Sequence, residues 1–87
     1  PVLILTRNAA IARLQNIVVA TVSTNIRHAD TEVLLEPSDG MQKRCAISLD
    51  NLHTIGKQYL DSIITELSAE RMNEVFEAIH LAFDLPH

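Results

Sequence analysis

A short polar segment in the first third of the sequence carries the side chains best suited to phosphate chemistry. Residues 23–25 (Ser-Thr-Asn) follow an apolar run, and Arg27 comes two residues later. The guanidinium of Arg27 is a planar fork of donors that suits bidentate contact with a phosphate. Two structural explanations remain open: residues 23–25 end a strand and begin a turn, and Arg27 forms a surface ion pair with Asp30 or Glu32.

Two histidines, His28 and His53, form a second candidate set, because imidazoles titrate near neutral pH and serve as general base and general acid. An isolated His is more often a surface or hydrogen-bonded side chain, and we expect that here. No two His lie four residues apart and none neighbours a cysteine, so the sequence predicts neither a metal site nor a cofactor. The single cysteine, Cys45, excludes an intrachain disulfide and is expected to be buried and unreactive.

Size and charge favour one compact domain over residues 1–87 in the cytoplasm. A domain of 87 residues with 47% hydrophobic residues often gains support from oligomerisation. No apolar run approaches the roughly 20 residues that span a bilayer, and no signal-peptide pattern is present. The formal charge of −4 argues against broad nucleic-acid binding. However, residues 1–29 contain three Arg and no carboxylate, so this end is suited to face phosphate while the acidic C-terminal end faces solvent.

Short strands and one helix are expected to position these side chains. Asn8 is a candidate cap for a helical turn over 9–14, and Ser68 caps a helix that Pro86 ends. The apolar face of that helix comprises Met72, Val75, Phe76, Ile79, Ala82 and Phe83. Apolar and β-branched runs predict strands at 1–5, 17–22, 31–36, 45–48 and 63–67, a short extended piece at 52–55, and turns at 37–40 and 56–60. This order predicts a mainly β protein with α, a strongly bent antiparallel sheet or small barrel with the amphipathic C-terminal helix packed on it.

Four pieces of the sequence, taken in order, point to a known family. They are PVLILTR at 1–7, VVATVSTNIR at 18–27, LDNLHTI at 49–55 and LSAERMNEV at 67–75. This series covers nearly the whole chain and resembles the MazF/PemK family, the mRNA interferase toxins of type II toxin–antitoxin systems. The resemblance implies a plug-like barrel of the CcdB/PemK type, a symmetric homodimer, and metal-independent, sequence-specific cleavage of single-stranded RNA (mRNA). It also implies a cognate antitoxin whose disordered, acidic tail occupies the same groove as the RNA.

The resemblance also implies roles for individual residues. Ser23 takes the position of a Thr or Ser that works with a catalytic Arg, and that Arg is expected immediately before Pro1. Because the nucleophile is the RNA's own 2′-hydroxyl, the protein supplies only proton transfer and charge stabilisation, and a 2′,3′-cyclic phosphate results. Arg27 is a candidate to take over part of the role of the expected Arg. The RNA-binding candidates are Thr24, Asn25, Arg27, Asp50 and Asn51.

Several alternatives accompany this interpretation. The family has a strand and a mobile loop before the position of Pro1, so we expect the N-terminal strand and catalytic loop to be missing from residues 1–87. A catalytically inactive subunit that still binds the antitoxin is therefore one alternative. A CcdB-type toxin that binds gyrase is another, but those toxins carry a Trp-containing tail and this chain has no Trp. Within the site, Asn51 suits the cap of a turn equally well.

Overall fold

The computed structural model describes residues 1–6 and 8–83, and of Asn8 it describes only the backbone. These ranges contain strands β1 (Val2–Ile4), β2 (Asn16–Ser23), β3 (Glu32–Leu35) and β4 (Cys45–Gly56), helices α1 (Asn8–Ile11) and α2 (Ala69–Phe83), and 3₁₀ turns at Pro37–Asp39 and Lys57–Tyr59. All strand pairs are antiparallel, in the order β1-β2-β4-β3. The sheet curls into a half-barrel, which confirms the predicted fold class of a bent antiparallel sheet with a C-terminal helix.

Strand β4 is a central strand of the sheet and is longer than its sequence predicted. It runs for 12 residues and pairs with β2 on one side and β3 on the other. The sequence predicted a strand at 45–48 and a separate extended piece at 52–55, because the alternation of apolar and polar residues breaks between them. The structure joins the two pieces into one strand through an irregularity at the break.

That irregularity is a bulge opposite the middle of β2. Ala20 faces Leu52 across the pair, whereas the next residue, Thr21, faces Ser48, so residues 49–51 have no partner in β2. Extra residues in one strand of a pair bend that strand and increase its local twist. The bulge therefore helps to curl the sheet and carries residues 49–51 out of the regular ladder.

The buried face of β2 changes at the position of the bulge. Ile17 and Val19 are buried before it, whereas Ala20 and Val22 are buried after it. Because side chains alternate along a strand, these two pairs lie on opposite faces of β2, and only Ala20 and Val22 belong to the core cluster. The final residue, Ser23, lies on the face opposite to Val22 and is exposed.

The core lies between the sheet and one face of α2, which contacts β3 and β4. The buried cluster consists of Ala20, Val22, Val33, Leu35, Cys45, Ile47, Leu49, Val75 and Ala78. Ser68 caps the helix as predicted: its Oγ accepts the Arg71 N–H at 3.2 Å. The predicted Asn8 cap and the predicted helix end at Pro86 lie outside the described part of the chain. No helix within the described ranges is long and apolar enough to cross a membrane.

The prediction that both helix phenylalanines are buried was wrong. Phe76 is 52% exposed and Phe83 is 53% exposed, while Val75 and Ala78 are buried. One residue step turns a helix by about 100°. The helix therefore presents Val75 and Ala78 to the sheet and turns Phe76, one position beyond Val75, away from the core.

The predicted last strand at 63–67 was also wrong. In the structure this segment belongs to no strand, and no backbone hydrogen bond joins it to a described strand. Its β-branched residues are exposed, with Ile63 at 80% and Ile64 at 58%. A strand needs a hydrogen-bonded neighbour, and the described sheet does not extend to this segment. Its order comes from Thr65, whose Oγ1 donates to the Asp39 carbonyl at 3.0 Å.

Candidate functional site

Ser23 lies at the end of β2, beside the first residue of the chain. The Val22 N–H donates to the Pro1 carbonyl at 3.1 Å, and Val2 faces Thr21 across the β1–β2 pair. The Ser23 Oγ accepts the Asn25 N–H at 3.0 Å. A hydroxyl that accepts a backbone hydrogen bond keeps its own hydrogen to donate elsewhere. Residues 23–25 therefore end a strand and begin a turn, and the same turn orients an exposed hydroxyl.

Ser23 opens onto a cavity of about 420 Å³, which we call the Ser23 groove. Its walls come from the end of β2 and from the connection between β3 and β4. Pro1, Ser23 and Thr24 line it together with Met41, Gln42 and Lys43. Of the RNA-binding candidates from the sequence, Thr24 lines the groove with Ser23, whereas Asn25, Arg27, Asp50 and Asn51 do not.

Gln42 and Lys43 are groove residues that the sequence analysis missed. The available signal was a polar, basic segment directly after the predicted turn at 37–40. Nothing in the local sequence places that segment opposite residue 23. Only the pairing of Ser23 with Ala46 across β2 and β4 brings the two together.

Arg27 forms the ion pair that the sequence left open, and its partner is Glu32. The Arg27 Nε lies 3.3 Å from Glu32 Oε2, and its Nη2 donates to the Ser48 hydroxyl at 3.2 Å. The Glu32 side chain is 3% exposed and the Arg27 side chain 57% exposed. Arg27 thus holds the loop between β2 and β3 against the sheet, and a phosphate contact by its exposed part stays a prediction.

Glu32 is the centre of this loop's hydrogen bonds. Its Oε1 accepts the Arg27 N–H at 3.1 Å and the Ala29 N–H at 3.2 Å. Desolvation by burial raises the pKa of Glu32, but the Ala29 and Arg27 backbone donors and the Arg27 guanidinium outweigh it and hold the pKa below its ordinary value. The loop that follows Ser23 is therefore fastened by a carboxylate that stays charged.

Asp50 and Asn51 stand on the β4 bulge and are both exposed. Thr31 Oγ1 donates to Asp50 Oδ2, and the Leu49 N–H donates to the Thr31 carbonyl at 3.0 Å. Thr21 Oγ1 donates to the Asn51 carbonyl at 3.4 Å.

Thr21 and Ser23 share one face of β2, since they are two residues apart on a regular stretch of the strand. Through Thr21, the bulge and Ser23 therefore form one polar strip on the outside of the sheet.

The two histidines do not form a pair on one element. His53 is exposed on β4 and faces Val19 in the register with β2. His28 is exposed in the β2–β3 loop and has a left-handed backbone, with φ 58°. The Cys45 thiol is buried as predicted, and desolvation raises its pKa. Among the residues that the structure describes, no group of three or more His, Cys, Asp or Glu could hold a metal ion.

A second cavity, of about 570 Å³, lies between β3 and α2. Its charged lining consists of Asp30, Glu32, Glu36, Glu74, Glu77 and Arg71. Five carboxylates against one guanidinium repel a polyanion. Although this cavity is larger, the Ser23 groove is the better candidate for a phosphate-bearing ligand.

The curled antiparallel sheet, the single C-terminal helix packed on it and the polar groove at the end of β2 define the class of small toxin folds that the sequence resembles. The profile of the PemK-like, MazF-like toxins of type II toxin–antitoxin systems matches residues 1–83. The chain belongs to this family.

Curated relatives agree with this assignment. The chain is 38% identical to the probable endoribonuclease MazF5 of Mycobacterium tuberculosis over 85 aligned residues. The alignment covers 97% of the chain and 78% of the relative. It is 39% identical over 85 residues to the endoribonuclease MazF3 of the same species, covering 98% of the chain and 82% of the relative. The predicted membership of the MazF/PemK family is confirmed.

Solved structures share the fold. The M. tuberculosis toxin MazF-mt6 superposes with a TM-score of 0.95 at 38% identity, covering 100% of this chain and 88% of that one. A mycobacterial endoribonuclease in complex with its cognate antitoxin superposes with a TM-score of 0.88 at 30% identity, covering 100% of this chain and 82% of that one. These matches favour the MazF/PemK interpretation over the gyrase-binding alternative.

Proposed function

We propose that this chain is the body of a toxin endoribonuclease that cleaves single-stranded RNA in the Ser23 groove without a metal ion. The observation that carries the proposal is the exposed Ser23 hydroxyl, oriented by the Asn25 N–H at 3.0 Å, in a groove of a chain whose curated relatives are endoribonucleases. Enzymatic RNA cleavage is thus supported by the family, and the residues and chemistry are our proposal.

The reaction needs few protein groups because the RNA supplies its own nucleophile. The 2′-oxygen attacks the adjacent phosphorus, an O2′–P bond forms and the P–O5′ bond breaks. The 2′-hydroxyl loses its proton and the leaving O5′ gains one, which gives a 2′,3′-cyclic phosphate and a 5′-hydroxyl. Ser23 donates its free hydrogen to a phosphate oxygen and so stabilises the negative charge of the phosphorane.

The strand register supports the expected place of the catalytic Arg. Val2 faces Thr21 and the Pro1 carbonyl accepts the Val22 N–H. In an antiparallel pair, one residue earlier on β1 corresponds to one residue later on β2. A residue immediately before Pro1 therefore lies opposite Ser23, where a guanidinium reaches the same phosphate.

The polar strip around the groove is our proposed RNA contact surface. Carboxylate and amide groups pair with the exposed edges of unstacked bases. We assign base reading to Asp50 and Asn51 on the bulge, which Thr21 contacts through the Asn51 carbonyl, and phosphate or sugar contact to Thr24 in the groove. Asn25 and the exposed part of Arg27 extend the same surface along the loop after β2.

Two protein partners complete the proposal. A relative of this chain has been solved in complex with its cognate antitoxin, which supports neutralisation of this toxin by an antitoxin of its own. The second partner is another copy of the chain, in a homodimer.

The first prediction tests the catalytic residue. The full gene product, including any residues encoded before Pro1, is incubated with single-stranded RNA in excess chelator. We expect fragments that end in a 2′,3′-cyclic phosphate, identified by mass spectrometry. Ser23→Ala should slow cleavage by about a hundredfold, since it removes a donor to the developing charge.

The matched control for this variant is Ser38→Ala, an exposed serine of the 3₁₀ turn, which should cleave at the wild-type rate. Absence of cleavage by the full gene product would favour the inactive, antitoxin-binding subunit. Cleavage that disappears in chelator and returns with a divalent cation would contradict the metal-independent mechanism.

A further inference from the structure

We infer that Lys43 is the residue of this chain that binds an RNA phosphate beside Ser23. The sequence alone favoured Arg27 for this role. The inference rests on the proposed function, because it names the cation that the Ser23 groove uses. It is carried by the partners of the basic side chains, the position of Lys43 in the groove and the anchoring of its loop.

Most described basic side chains are already engaged within the protein. Arg27 pairs with Glu32 at 3.3 Å, and Arg44 pairs with Glu36 at 3.0 Å. The remaining engaged groups are Arg71, which pairs with Asp39 and Glu74, and Lys57, whose Nζ donates to the Ile11 carbonyl at 2.6 Å. Of the Lys and Arg side chains within residues 1–6 and 8–83, only those of Lys43 and Arg13 make no hydrogen bond or ion pair.

Of these two free cations, only Lys43 lines the Ser23 groove. Arg13 precedes the first residue of β2, whereas Ser23 is the last residue of that strand. Eight strand residues at about 3.3 Å each separate the two ends by roughly 25 Å. Among the free Lys and Arg side chains that the structure describes, Lys43 is therefore the one that shares a groove with the Ser23 hydroxyl.

The loop that carries Lys43 is anchored at its start, where Asp39 is the fastening point. Arg71 Nε donates to Asp39 Oδ1 at 3.0 Å, and the Glu36 N–H donates to Asp39 Oδ2 at 2.8 Å. The Arg71 hydrogen bond, followed by that from Glu36, lowers the pKa of Asp39, so this anchor stays charged. Thr65 Oγ1 also donates to the Asp39 carbonyl at 3.0 Å.

Gly40 then turns the chain toward the groove with φ 98°, a left-handed conformation that glycine adopts at low cost. Strand β4 begins at Cys45, so only four residues separate the turn from the sheet. A short segment fixed at both ends holds the Lys43 backbone in place while its flexible side chain remains free to follow a phosphate.

The chemistry suits a single-stranded backbone. A Lys ammonium is a mobile point charge, and its contact with a phosphate releases a counterion, so its contribution falls as salt rises. For single strands, each neutralised phosphate contributes about 0.7 to the slope of log affinity against log salt. The contribution of Lys43 can therefore be counted by salt dependence, which a purely structural lysine would not change.

The test measures binding and does not require cleavage. The probe is a fluorescent, single-stranded RNA pool of randomised sequence with 2′-O-methyl groups throughout, which removes the nucleophile. Affinity is measured by anisotropy over a salt series for the wild type, Lys43→Gln, Lys43→Arg and Arg13→Gln. Thermal melts of each variant check that the fold is retained.

We expect Lys43→Gln to reduce the salt slope by about 0.7 and Lys43→Arg to retain it. With that loss, the ratio of the wild-type affinity to the Lys43→Gln affinity falls about fivefold for each tenfold rise in salt. Arg13→Gln should match the wild type, because Arg13 is equally free but lies at the other end of β2. An unchanged slope in Lys43→Gln, or an equal loss in Arg13→Gln, overturns the inference.

The outcome is separable from that of the proposed function. A wild type that cleaves RNA while Lys43→Gln keeps its salt slope overturns the role of Lys43 alone. A protein that binds the pool through Lys43 but does not cleave natural RNA supports Lys43 and contradicts the ribonuclease proposal. A wild type that does not bind the pool at all overturns the role of Lys43, and cleavage of natural RNA decides the ribonuclease proposal separately.

Discussion

At the residue scale, the partners of each charged group decide what that group can do. The guanidinium of Arg27 was the best phosphate ligand that the sequence offered after the polar segment at 23–25. In the structure this guanidinium forms an ion pair with the buried carboxylate of Glu32, and the same carboxylate accepts the Ala29 N–H. Arg27 thereby becomes a support for the loop after Ser23, and Lys43 is left as the free cation of the groove.

The stability of this loop is open to a direct test with Glu32→Gln. The amide retains one acceptor oxygen but places an NH₂ group where Arg27 donates. Since removal of a buried acceptor leaves its donors unsatisfied, we expect a loss of about 1–3 kcal/mol of unfolding free energy in urea titrations. Glu36→Gln removes an exposed ion pair with Arg44 and should cost less than about 1 kcal/mol. Equal losses in the two variants would contradict the central role of Glu32.

The pH dependence of the Glu32 effect has a definite sign. The folded-state pKa of Glu32 is lowered, so its contribution to stability is complete above the ordinary carboxyl value of about 4.3. That contribution is lost as the pH falls from this value through the folded pKa. The stability gap between wild type and Glu32→Gln should therefore be constant near neutral pH and narrow in acid, as followed by urea titrations across pH.

At the element scale, the bulge in β4 links the fold to the site. It bends the sheet and carries the exposed residues Asp50 and Asn51. Their neighbour Leu49 points into the core and is fully buried. The sequence predicted the flanking strands, because alternation is a local signal. It did not predict one continuous strand, since the register of Ala20 with Leu52 and of Thr21 with Ser48 depends on residues about 30 positions apart.

A prediction at this scale concerns the packing beneath the bulge. Leu49→Ala removes a fully buried side chain and leaves a cavity, so we expect a loss of about 2–5 kcal/mol in chemical denaturation. Leu14, which is 44% exposed, provides the matched control, because Leu14→Ala should change stability by less than about 1 kcal/mol. If Leu49→Ala were as stable as Leu14→Ala, the bulge would not be seated on the core as described.

At the scale of the whole molecule, several large apolar side chains remain exposed after the helix has packed on the sheet. Exposed large side chains include Tyr59, Ile63, Ile64, Phe76, Leu81 and Phe83, each more than half exposed. Large apolar side chains that stay exposed on a small domain are candidates for an interface with another protein. We propose these side chains as the interface of the homodimer of the proposed function.

We therefore expect the chain to sediment at twice the 9.7 kDa of one copy. Sedimentation equilibrium over a dilution series gives the mass directly, and dilution should shift the population toward the monomer. A single species of 9.7 kDa at every concentration would contradict the homodimer. A denaturation midpoint that rises with protein concentration provides an independent check, because association stabilises the folded state.

The sequence by itself determined the family, the order of most elements and the cap of α2 at Ser68. These features rest on local patterns: alternation in strands, three- and four-residue spacing in the helix, and a serine whose hydroxyl accepts the Arg71 N–H three residues later. The position of Ser23 at the end of β2 belongs with them, since the apolar run before it is a local signal.

Only the tertiary structure decided which groups surround Ser23. The placement of Lys43 in the groove and the unpaired segment at 63–67 depend on how distant parts of the chain pack, and the choice of Glu32 as the partner of Arg27 depends on the fold of the loop between them. The exposure of Phe76 depends on how α2 is rotated against the sheet. Periodicity shows which residues share a face of an element, but the pairing of strands and the docking of the helix decide what that face meets.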